Sequence, residues 1–241
     1  MTLVYDGSFE SYLCLVHDVY YKKLIPTSIV KEYDALLFDD VHFCVYEPKK
    51  AEAVLGALKQ KFKKKEFQSI LNTFLCDKDA FEMPLLEFIR QGFSSQNELH
   101  NINNEAVLYI RSLEKKLFST YHRYSGFLRF EELSDKTLYA KIDAQYNLLY
   151  LLGRHFSKRL HAQEFIIHDI KRELAFLHVN GESSLQQVAE YKTPEVSADE
   201  RKMQKLWKGF FESVNIKERT NEKLQKSWIP LHYRTYMTEF A

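Results

Sequence analysis

Apolar positions along this chain switch repeatedly between strand-like and helix-like spacing. Thr2-Leu3-Val4-Tyr5 reads as a short strand ending at Asp6-Gly7-Ser8, where Asp6 or Ser8 can cap a helix. In that helix Phe9, Tyr12, Leu13, Val16 and Tyr20 recur at spacings of three and four, and Pro26 and Ser28 end it. From His42 to Glu47 the chain alternates, with Phe43 and Val45 on one side and Cys44 and Tyr46 on the other, which predicts a strand. Pro48 then suits the first turn of a new helix. Helical stripes follow: Leu55, Leu58 and Phe62; Ile70, Leu71, Phe74 and Leu75; Leu85, Leu86, Phe88 and Ile89, with Gly92 as an expected C-cap. Lysines 59, 61, 63, 64 and 65 lie between the first two stripes, as an exposed helix end or a phosphate-binding patch.

Residues 94–103 form a polar boundary loop. The next helix, about 104–124, turns Val107, Ile110, Leu113, Leu117 and Tyr121 inward. A strand at 126–133, a turn and a strand at 137–142 are expected, then a helix at about 144–160 carrying Leu148, Leu151, Leu152, His155 and Phe156 on one face. Strands at 164–168 and 171–179 complete a ββαββ unit, read as an antiparallel sheet with a helix against it. Residues 180–196 read as a connector. Ser197-Ala198-Asp199-Glu200 is a capping box opening a helix with Leu206, Trp207, Phe210 and Phe211. The pattern predicts an α+β fold, mostly helical, with an N-terminal region (1–95), a helix plus ββαββ unit (104–180) and a C-terminal helical tail (197–241), which can form one continuous unit.

Composition narrows this picture. With 241 residues, 45% hydrophobic and 28% charged, the chain has enough apolar material for a proper core. The net charge of +1 hides an asymmetry: residues 201–241 carry nine Lys or Arg against four Glu, leaving an acidic remainder. That excess is a solvated helix face or a local contact surface. The seven glycines never cluster into a P-loop or dinucleotide turn, and GxSxG, HExxH and CxxxCxxC are missing. No catalytic residue is recognised and no cofactor is implied. There is no membrane span or signal-like start, and three cysteines without CxxC suit a cytoplasmic setting.

Two groups of residues are candidate sites. In the basic, aromatic tail, Lys217, Arg219, Asn221, Lys223, Gln225, Lys226, Tyr233 and Arg234 (with His232) offer paired donors and cations for a nucleic-acid backbone or a partner. Arg219 and Asn221 serve equally well as turn and cap formers. Arg129, Glu131, His155, Asp169 and Arg172 are a second candidate polar site on or beside the predicted sheet, with cross-strand ion pairs and a core histidine as the alternative. Cys14, His17, His42 and Cys44 have zinc-ligand chemistry, but not finger or ribbon spacing, so no metal is assigned.

Many stretches in consistent order resemble one bacterial family. They include Tyr5-Asp6-Gly7-Ser8-Phe9, Gly92-Phe93, His122-Arg123, Gly126-Phe127-Leu128-Arg129-Phe130-Glu131-Glu132-Leu133, Leu138-Tyr139-Ala140, Ile167-His168-Asp169 with Arg172, and Trp207, Phe211, Ile216, Arg219, Asn221, Gln225, Pro230 and Tyr233. The chain resembles a DNA-metabolism or DNA-repair family linked with a radical-SAM protein. A related domain of unknown function is also found fused to uracil-DNA-glycosylase-like domains. Ile229 stands where the family pattern has Met before the proline. The resemblance implies an accessory protein of DNA metabolism that binds nucleic acid or a radical-SAM partner, and it transfers no catalytic residue. Two alternatives stay open: an enzyme acting on nucleic acid through Asp169, His155 or nearby arginines, and a protein-binding adaptor anchored by Trp207, Phe210 and Trp228. Trp207, Phe211 and Ile216 are expected to dock the tail onto the body.

Overall fold

The computed structural model describes residues 1–33, 40–188, 194–214, 216 and 221–240. It is α+β, as the pattern predicts, and divides into two compact units, Met1–Leu117 and Phe118–Ala241.

The first unit is built around β1 (Thr2–Val4), the middle strand of a parallel sheet with β2 (Ser28–Val30) and β3 (Val41–Phe43) on either side. Gly7 turns the chain out of β1 at a φ of +86°, a region that favours glycine. The Asp6 carboxylate accepts from the Ser8 amide and hydroxyl, and Ser8 Oγ accepts from the Ser11 amide, which caps α1 (Phe9–Tyr21). The buried face of α1 packs against α2 (Pro48–Lys61). The strand expected over 42–47 covers only Val41–Phe43, because the chain leaves β1 after Cys44 N donates to Val4 O.

After α3 (Lys64–Phe74), α4 (Glu82–Ser94) runs past Gly92 and is capped at Ser95. Gly92 is therefore not a C-cap. It lets the Phe62 ring approach so closely that any Cβ would fall on it. The 94–103 loop contains a 3-10 turn, Gln96–His100, that buries Leu99. In α5 (Glu105–Phe127), Val107, Ile110, Leu113 and Leu117 are buried as expected.

The second unit holds a sheet in the order β4-β5-β6-β7-β8, formed by β4 (Glu131–Glu132), β5 (Leu138–Ile142), β6 (Phe165–Asp169), β7 (Leu174–Val179) and β8 (Glu182–Gln187). It is mixed rather than wholly antiparallel. β5 and β6 pair in parallel, because α6 (Leu149–Arg159) carries the chain across one face of the sheet between them. Gly153 brings α6 against Phe176 with no room for a Cβ. The strand expected over 126–133 shrinks to two residues, since α5 continues through Gly126 to Phe127. β8 lies in the stretch read as a connector. Its hairpin turn is Asn180-Gly181, both at positive φ, a residue pair that marks a tight hairpin. The capping box is half formed: Ser197 Oγ accepts from Glu200 N, while Ser197 N donates to Glu132 O.

The tail contains α7 (Ala198–Ser213), α8 (Glu222–Trp228) and α9 (Leu231–Arg234). α7 buries none of its residues. The expected docking through Trp207 and Ile216 is corrected: they are 42% and 50% exposed, Phe211 is half-buried and edge-on to Phe240, and the buried anchors are Tyr233 and Met237.

Candidate functional site

One face of the second unit's sheet supports a polar cleft of about 140 Å³. Strand alternation places Tyr139 and Lys141 on that face, and Glu131 lies opposite Tyr139 in register. α7 contributes Gln204 and Lys208, four residues apart on one side of the helix. Thr235, Tyr236 and Thr238, beyond α9, complete the lining with Arg129.

Arg129 is fixed rather than free to reach a ligand. Its Nη2 donates to Glu239 Oε1 at 2.7 Å and its Nε to Oε2 at 3.4 Å, while Nη1 donates to the Gly126 and Leu128 carbonyls. Burial pushes the Glu239 carboxyl up, but the Arg129 hydrogen bond and charge, with the Trp207 indole at 3.3 Å, outweigh it and hold the group below the ordinary carboxylate range. Glu131 accepts from Gln204 at 3.2 Å. Lys141 stands 5.6 Å from the Tyr139 ring centroid. Arg129, whose charge Glu239 balances, shares the lining with Lys141, Lys208 and Glu131.

Beneath the cleft, the Tyr139 hydroxyl and His168 Nδ1 are 2.8 Å apart and buried. Burial lowers the His168 pKa, opposed by the Asp169 charge. Sequence reasoning missed Tyr139, Lys141, Gln204, Lys208 and His168. The i, i+2 alternation of Tyr139 and Lys141 was the available signal.

The second candidate group does not assemble as one site. Arg129 and Glu131 line the cleft. Asp169 alternates to the α6 side of β6, where it pairs with Arg172 at 2.8 Å. Arg172 also donates to the carbonyls of Ala144 and Gln145, so this buried pair braces the β5–α6 loop. Burial raises the Asp169 pKa, with Arg172 opposing. His155 packs edge-on against Tyr121 and Phe156.

In the tail, Lys217 and Arg219 lie outside the described residues. Asn221 is a helix cap: its Oδ1 accepts from Leu224 N at 3.0 Å. Tyr233 is corrected from a surface contact to an anchor, 6% exposed and edge-on to Tyr124 and Phe127. Arg234 likewise turns inward, donating to Ile229 O and lying 4.3 Å from the Phe240 ring centroid. Lys223, Gln225 and Lys226 remain on the exposed face of α8. Trp228 (73%) on α8 and Trp207 and Phe210 (56%) on α7 are exposed as well.

In the first unit, the four zinc-type residues do not converge. Cys14 exchanges hydrogen bonds with the Glu47 backbone. The ligand atoms that come within 4.8 Å of one another belong to Asp18, His42 and Cys44. Two ammonium groups already occupy that position, Lys22 at 2.7 Å and Lys50 at 3.3 Å from Asp18. Burial, with the Asp18 charge adding to it, pushes the Cys44 thiol up to about 12.

A family model described as a domain of unknown function, DUF4130, matches residues 79–239. The chain belongs to the DUF4130 family. The DUF4130 region contains every residue lining the cleft, together with α7, α8 and α9. No curated protein and no solved structure matches the chain. Among the described residues, no helix is long and apolar enough to cross a membrane.

Proposed function

We propose that this DUF4130 protein is an accessory nucleic-acid-binding protein of DNA metabolism that engages single strands through α7 and α8. The observation that carries this reading is the exposed set Trp207, Phe210 and Trp228 on helices that also carry Lys202, Lys205, Lys208, Lys223 and Lys226. Aromatic faces stack on bases regardless of sequence, and flanking ammonium groups neutralise phosphates. The link to DNA metabolism rests on the family resemblance, which also makes a radical-SAM protein the partner class to test by co-purification with and without nuclease.

The chain has only two tryptophans, and they sit on these two helices. Oligothymidylate is therefore expected to quench intrinsic tryptophan fluorescence, with affinity falling as salt rises. Engagement of four lysines gives a slope of log K against log salt of about −3. No quenching and no binding at low salt would remove this reading.

A second reading, protein docking, is favoured by the exposed apolar stripe Met203, Leu206 and Phe210 on α7, continued by Val214 at its C-cap. A nuclease-resistant complex lost on Leu206→Ser, with oligonucleotide binding absent, would select it.

A further inference from the structure

We infer that the first unit carries a nucleotide-binding site: a base seats among aromatic rings of α1 and α4, and its phosphate meets Lys23 and Arg90. The nucleotide is free, or is the 5′-phosphorylated end of a strand. The site belongs to a different unit from α7 and α8, so it goes beyond the reading above.

Two hollows share Tyr20 as a wall. The first, of about 200 Å³, is lined by His17, Tyr20 and Tyr21 of α1, Ala53 and Ala57 of α2, and Phe93 of α4. Its rings are arranged for stacking. His17 lies near-parallel to Tyr21 at a centroid distance of 4.3 Å, and Tyr20 stands 6.3 Å from Phe93. Tyr20 and Tyr21 are 65% and 72% exposed, so both rings still have surface for another flat ring to cover. Among the described residues, no carboxylate lines this hollow. A base is therefore held by its face rather than read at its edge.

The second hollow, of about 520 Å³, falls in the usual range for small-molecule sites, about 300–1,000 Å³. Beside apolar Val19 and Leu24 it carries Lys23, Arg90 and Glu87. Arg90 meets Glu87 at 3.3 Å in an exposed pair, weak enough for a phosphate to take over the guanidinium. Lys23 then leaves the lining one positive charge in surplus, and no carboxylate pairs with it among the described residues.

The backbone of Lys23 is an independent observation. It follows the C-cap of α1 with a φ of +54°, and across it the Leu24 amide donates to the Val19 carbonyl at 3.2 Å. This helix-ending turn favours glycine at that position. A lysine there keeps a strained backbone and places a cation in the lining beside Tyr20.

The test is isothermal titration of the full chain with AMP, adenosine, inorganic phosphate and oligothymidylates with or without a 5′-phosphate. The phosphorylated ligand of a pair is expected to bind about ten-fold tighter than its hydroxyl counterpart. AMP binding assigns a free nucleotide, and an advantage confined to the phosphorylated strand assigns a strand end. Tyr20→Ala should weaken the phosphorylated ligand about ten-fold by removing the stacking face. Lys23→Gly should bring it down to the level of the hydroxyl ligand. Its melting temperature should be no lower than that of the parent chain, because glycine adopts this φ freely. Equal affinity with and without phosphate, or affinity unmoved by either substitution, would refute the site. Neither substitution touches α7 or α8, so quenching of Trp207 and Trp228 by oligothymidylate tests the earlier reading separately.

Discussion

Tyr233 offers the sharpest separation between a contact residue and an anchor. Its ring is 6% exposed and meets Tyr124 and Phe127 edge-on at centroid distances of 4.9 and 5.4 Å. Its hydroxyl accepts from Arg123. A buried aromatic side chain removes roughly 150–250 Å² from water. At about 25 cal/mol per Å² that amounts to about 4–6 kcal/mol, an upper bound because alanine and the denatured chain retain part of it. Tyr233→Ala should therefore destabilise the second unit by about 3–4 kcal/mol, within the usual range for truncating a buried ring. Tyr233→Phe keeps the packing and loses one hydrogen bond, costing about 1 kcal/mol. Urea unfolding followed by tryptophan fluorescence reads both, since Trp207 and Trp228 lie in this unit. A loss below about 1 kcal/mol for the alanine variant, or equal losses for both, would contradict burial as the source of the anchoring. Tyr233→Phe should also bind oligonucleotide like the parent chain.

Gly153→Ala forces a methyl group into the Phe176 ring and should cost about 1–3 kcal/mol in the same unfolding assay, while Gly56→Ala, with open space around it in mid-helix, should stabilise the first unit by about 0.5–1 kcal/mol, read by circular dichroism because that unit holds no tryptophan. Asp18 is held well below the ordinary carboxylate range: burial pushes it up, but Lys22, His42 and Lys50 outweigh that. A depressed folded-state pKa gives stability that is complete above the unfolded value of about 4 and lost as pH falls through the folded value. Asp18→Asn should lower the melting temperature at pH 7, and its deficit should shrink below pH ~4. A deficit independent of pH would contradict the ion cluster. Lys223→Ala with Lys226→Ala should flatten the salt slope of oligonucleotide binding by about 1.4, and an unchanged slope would take α8 out of the interface.

The helices were largely legible because their apolar stripes are long: the buried face of α5 reads directly from Val107, Ile110, Leu113 and Leu117. Strands of two or three residues, such as β2, β3 and β4, are too short to alternate, so pairing partners rather than local pattern define them. Parallel pairing of β5 with β6 follows from the crossover through α6, a property of connection rather than of composition. The cleft was half legible. Arg129 and Glu131 were visible as charges near a strand, but Lys208 and Thr238 join them only through the course of the tail. The tail misled because its large apolar residues resemble a buried stripe. Tyr233 and Met237 do the anchoring, leaving Trp207 at the surface.

The hydroxyls of Tyr5 and Tyr12 both reach Glu82, one donating to its carboxylate at 3.1 Å and the other to its backbone carbonyl at 2.6 Å. Glu82 belongs to the matched family region, and both tyrosines precede it. Cutting the chain at residue 79 would strip α4 of these donors and of the Phe62 ring packed at Gly92. The border that sequence kinship draws is therefore not one at which the polypeptide can be divided. Fragments intended to carry the cleft should keep the first 78 residues, or begin far enough along α5 to leave α4 out altogether.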